Sequence, residues 1–114
     1  MIDTAKLTTD IRDAIAKGRE AIVGMEDNGT CNFDGVILST GKGCQVGRQN
    51  AKVQAAIKAA GAWASFKGSG ISRGYVISLP VGGQGATRTK AAEVACEHLR
   101  EAGWSDVSMW YQMD

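Results

Sequence analysis

A two-layer α+β domain is what this sequence predicts, on three observations. An amphipathic helix opens the chain, a strand-helix-strand pattern then occurs twice, and the glycine-rich links between elements leave no room for a further helix. Each element follows from local chemistry.

From Thr4 to about Val23 the residues Leu7, Ile11, Ala14, Ile15 and Ile22 recur three, four or seven positions apart, which is one face of a helix. Gly18 falls on that face and reads as a weak point, since glycine is a poor helix former. Gly24-Met25-Glu26-Asp27-Asn28-Gly29 reads as a turn and link.

The first repeated unit runs from Gly35-Val36-Ile37-Leu38-Ser39 through a glycine-rich stretch and a helix ending Ala60-Gly61 to Ala62-Trp63-Ala64-Ser65-Phe66. The second runs from Gly74-Tyr75-Val76-Ile77-Ser78 through Gly82-Gly83-Gln84-Gly85 and a helix ending Ala102-Gly103 to Val107-Ser108-Met109-Trp110-Tyr111. Gly35 and Gly74, Ser39 and Ser78, Gly43 and Gly82, and Gln45 and Gln84 are all 39 positions apart, which points to an internal duplication. Ala-Gly at each helix end suits the left-handed residue that closes a last turn. Lys67-Gly68-Ser69-Gly70 is a link short enough for a hairpin. The order is β-α-β-β-α-β behind an N-terminal helix, the ferredoxin-like pattern.

A chain of 114 residues suits one domain, with residues 1–25 as helix and link and 31–114 as the duplicated core. Hydrophobic residues make up 44% and charged residues 22%, the balance of a globular chain and not of a disordered one. Without a signal peptide or a membrane-length apolar run, the expected setting is cytoplasmic, with no membrane partner. Cys31, Cys44 and Cys96 are odd in number and far apart, so reduced thiols are expected, one of them in the core. A net charge of +1 removes the general attraction for nucleic acid.

Alternation along the strands splits them into two faces. Val36, Leu38, Tyr75, Ile77, Leu79, Val107, Met109, Tyr111 and Met113 form the bulkier set and should face the helices. The helices oppose it with the slim stripes Val53, Ala56, Ile57, Ala60 and Ala92, Ala95, Leu99, Ala102. The other face carries Gly35, Ile37, Ser39, Gly74, Val76 and Ser78 on the central strands, with Trp63, Lys67, Trp110 and Gln112 at the edges. That makes a low trough rimmed by indoles, suited to contact with a partner because tryptophan supplies large apolar area. The stripe of the N-terminal helix would also fit there.

Gly41-Lys42-Gly43-Cys44-Gln45-Val46-Gly47-Arg48 contains G-x-G-x-x-G between strand and helix, where free amides can hold a phosphate. The second loop has Gly83, Gly85 and Arg88 in the same place. Lys42, Gly43, Gly47, Arg48, Gly83, Gly85 and Arg88 are therefore the anion-binding candidates. The acid that would hold a ribose about 20 positions on is missing, so a dinucleotide site is not expected. Arg73-Gly74-Tyr75 resembles the start of the RNA-recognition signature, but Ile77 stands where its second open-face aromatic belongs. Nucleic acid is not an expected partner.

His98 is the only histidine, and its helix neighbours Cys96 and Glu97 point elsewhere, so no nucleophile-base pair can be assigned. Glu26, Asp27 and Asp34 fall short of a metal site. No cofactor is implied. The sequence thus predicts a non-enzymatic module, an inhibitor or adaptor, that occupies a surface on a macromolecular partner: a protein, with a second copy of the chain as one option. Its contact residues would be Trp63, Lys67, Trp110, Gln112, Ile37 and Val76. The alternative is a binder of phosphorylated small molecules at the glycine-rich loops.

Overall fold

The computed structural model describes residues 3–24, 35–40, 44, 51–67, 74–79 and 86–110. Helix α1 spans Thr4–Ala21, strand β1 Gly35–Ser39, helix α2 Ala51–Ala59, strand β2 Trp63–Lys67, strand β3 Gly74–Ser78, helix α3 Ala86–Glu101 and strand β4 Val107–Trp110. Among the described residues this is a mixed α+β domain of three helices and one four-stranded antiparallel sheet in the order β2-β3-β1-β4. The first and third strands are the central pair.

Local chemistry sets the ends of the helices. Asp3 caps α1, its Oδ1 accepting from the Lys6 amide at 3.0 Å. The Ala-Gly endings behave as the sequence predicts: Gly61 has φ 93° and Gly103 φ 108°, backbone that a side chain rarely adopts.

Parity also holds. Val36, Leu38, Tyr75, Ile77, Leu79 and Val107 join the core with Val53, Ala56, Ile57, Ala60, Ala92, Ala95 and Leu99, while half-buried Ala64, Phe66 and Met109 lean against it. Phe66 meets Tyr75 edge-on, ring centres 5.3 Å apart. Tyr111 and Met113, expected to continue this face, lie outside the described residues.

The N-terminal helix joins the helix layer, not the trough. Its stripe of Leu7, Ile11, Ala14 and Ile15 is buried in the same core, against α3 and α2. Lys6 lies at Ala102 and Gly18 at Ala91, so α1 and α3 run antiparallel. Thr8 Oγ1 donates to the Ala56 carbonyl at 3.1 Å, and Arg12 donates to that of Ala59 at 3.3 Å, fixing the other side. Gly18 is no weak point here. A Cβ at that position would stand 2.9 Å from the Ala91 carbonyl oxygen, so glycine is what allows the two helices to approach.

The duplication has a structural signature. A Cβ on Gly35 would strike the Ile77 carbonyl, and one on Gly74 would strike the Leu38 carbonyl, partners that are themselves 39 positions apart. Both central strands need glycine at equivalent points because each crosses the other closely there.

Candidate functional site: the outer face of the sheet

Strand register places the outer-face residues in rows. Trp63 pairs with Ser78 and Gly35 with Trp110, and one further step of the β1-β3 register sets Gly35 beside Ser78. Both tryptophans therefore stand in one row, Trp63-Ser78-Gly35-Trp110. Three inter-strand steps of ~4.8 Å put their Cα atoms ~14 Å apart. Ser78 and glycine between them leave the middle low.

The next row is Ser65-Val76-Ile37-Ser108, and the third is Lys67-Gly74-Ser39, with the Ser39 amide donating to the Asp106 carbonyl at 3.0 Å. The offset of 39 relates the central strands of the first and third rows to each other. The edges break that symmetry, because register matches Trp110 on β4 to Lys67 on β2. Both tryptophans of this face thus stand in the first row and neither in the third.

Exposure separates these residues. Trp63 is 64% exposed although it is a large apolar side chain, and Trp110 is half-buried. Ile37 and Val76, expected to be contact residues, are only 4% and 5% exposed, so neither offers a partner much accessible area. Lys67 ends β2 opposite Gly74. Gln112 lies outside the described residues, as do Lys42, Gly43, Gly47, Arg48, Gly83 and Gly85. Arg88 is half-buried in the first turn of α3.

Trp104, which the sequence reading did not single out, does the opposite of Trp63. It is 5% exposed, its Nε1 donates to Asp10 Oδ2 at 2.8 Å, and Lys6 Nζ lies 5.1 Å from the ring centre. The same ammonium donates to Asp10 at 2.6 Å and to the Ala102 carbonyl at 2.8 Å, tying the start of α1 to the end of α3. Burial alone would raise the Asp10 pKa, but the hydrogen bonds from Lys6 and Trp104 outweigh it and hold the carboxyl below its usual value. A spacing of 94 residues carries no periodic signal that could have announced this pair.

Groups with catalytic chemistry do not converge. Cys96 lies in a groove between α3 and β4, with Glu93, Glu97, Arg100 and Met109 around it. Burial pushes its thiol pKa up, with Arg100 opposing in part, so at neutral pH it stays a protonated core thiol. His98, half-buried, shares a shallow groove with Lys17, Val94, Glu97 and Glu101. Among the described residues no cluster of three histidine, cysteine or acidic side chains can hold a metal ion, and no helix is long and apolar enough to cross a membrane. Comparison with protein-family models, curated proteins and solved structures found no match.

Proposed function

We propose that this chain is a non-enzymatic binding module that docks a protein partner on the outer face of its sheet, acting as an inhibitor or adaptor. One observation carries the reading: Trp63 and Trp110 share a row across a low centre, and Trp63 is 64% exposed while the core closes on the other side of the sheet. An exposed indole on a strand contributes little to folding, and tryptophan is the side chain most enriched at interface anchors. A cytoplasmic setting belongs to the same proposal. So does the ferredoxin-like description, which the β-α-β-β-α-β order with its central first and third strands supports.

The double variant Trp63→Ala/Trp110→Ala tests it. Proteins captured by the native chain in its host should be lost from the variant while the variant still folds. Capture that is equal for both chains removes the outer face from consideration. Addition of a nucleotide or phosphate should leave the melting temperature unchanged; a rise would favour the glycine-rich loops instead.

A further inference from the structure

Strand β2 is an edge of the sheet and, among the described residues, pairs only with β3. An edge strand can pair with a second copy of itself about a twofold axis. If the helices of both copies lie on the same side, opposed residues must share a face, so the axis has to pass through a residue. For the five residues of β2, the register of greatest overlap centres on Ser65.

That register matches unlike residues. It sets Trp63 opposite Lys67 of the second copy and Ala64 opposite Phe66, and the twofold repeats both pairs beyond the central Ser65-Ser65 contact. An aromatic opposite a cation attracts, and a small residue opposite a large one fills space without collision. Lysine on an edge normally repels an incoming strand. Centring on Ala64 or Phe66 would place Lys67 opposite Gly61 or Ser65, so of these three registers only the Ser65-centred one gives it an indole. The other edge offers no equivalent: centring β4 on Met109 opposes Trp110 to Ser108, and centring it on Ser108 opposes Trp110 to Asp106. Along β2, Trp63 and Ser65 are exposed and Ala64 and Phe66 half-buried.

We propose that a second copy of this chain pairs with β2 across Ser65, joining two four-stranded sheets into one of eight strands. The contact uses the edge of the sheet, so it stands or falls separately from docking on the outer face, where Trp110 is the discriminating residue. Five residues a side make a small interface, of the class below about 1,200 Å² that associates weakly.

Sedimentation of the full chain over a concentration series from about 1 μM to about 1 mM, the range of weak complexes, should show a monomer-dimer equilibrium. W63K sets lysine against lysine twice and should weaken the dimer at least about tenfold. The exchange W63K/K67W restores the unlike pairs and should restore association, while W110K should leave it unchanged. In a mixture of labelled and unlabelled chains, intermolecular NOEs between Ala64 and Phe66 should report the register directly. A chain that stays monomeric throughout overturns the proposal, as does a dimer indifferent to W63K, a dimer broken equally by W110K, or a dimer without those NOEs.

Discussion

The two faces of the sheet are drawn from the same four strands at alternate residues, yet they differ in residue size and in burial. On the helix side, Val36, Leu38, Tyr75, Ile77, Leu79 and Val107 meet alanine-rich helices and vanish from solvent. On the other side, serine and glycine surround a small buried pair, Ile37 and Val76, and the large apolar residues stand at the edges. The tryptophans repeat the contrast. Trp104 is a core residue with its N–H satisfied by Asp10, whereas Trp63 is left 64% exposed. The core thus lies on the helix side, and Trp63 takes no part in it.

Truncation of the α1 stripe is the strongest way to stress the helix side. Ile11 is 1% exposed in the core, and Ile11→Ala should cost about 2–5 kcal/mol by lost transfer energy and the cavity left behind. A loss under about 1 kcal/mol by urea unfolding would show that α1 is only loosely docked.

A smaller effect is expected where α1 crosses α3. Gly18→Ala gains up to about 1 kcal/mol of helix propensity, but its methyl would lie 2.9 Å from the Ala91 carbonyl oxygen, and overpacking of this kind costs about 1–3 kcal/mol. The collision is with backbone and cannot be relieved by a rotamer, so the net change should be destabilising. A raised melting temperature would mean that α1 and α3 can separate freely.

The Lys6-Asp10-Trp104 tie makes a pH-dependent contribution. Asp10 has its pKa lowered from 3.8 on folding, so what its charge adds is fully present above that value and is lost as pH falls through the lower folded one. Lys6 is 48% exposed, which limits the pair to about 1 kcal/mol. Asp10→Asn keeps an acceptor for the Trp104 N–H and removes the charge. The difference between the native chain and Asp10→Asn in urea unfolding should therefore be present at neutral pH and shrink below about pH 4. A difference that stays constant in acid would assign the effect to something other than the ion pair.

Much of the fold is legible in the sequence where a regular period or a repeated glycine carries it. Strand parity separates Tyr75 from Val76 correctly, and the offset of 39 anticipates that Gly35 and Gly74 occupy equivalent places. Contacts made across the chain are a different matter. The stripe on α1 says that a face must be buried but not against what, so the trough looks open to it and its place in the helix layer emerges only in the tertiary structure. Gly18 looks unfavourable from propensity alone because the residue that needs its absent side chain is Ala91. For the candidate site, the positions of Trp63 and Trp110 on one face follow from alternation, but their meeting in a single row depends on register, which no local signal sets. Burial of Ile37 and Val76 on the outer side is likewise invisible to alternation, which assigns a face and not a depth.

The division of labour between the faces is tested most directly by denaturant unfolding of the double variant Trp63→Ala/Trp110→Ala beside the single variant Tyr75→Ala. Tyr75 is 1% exposed and packs edge-on to Phe66, so its truncation should cost about 3–5 kcal/mol, as for other large buried aromatics. Removing both outer tryptophans should cost less than removing this one tyrosine, because the core lies on the helix side. A greater loss from the tryptophan pair would place the outer indoles in the core and contradict that division.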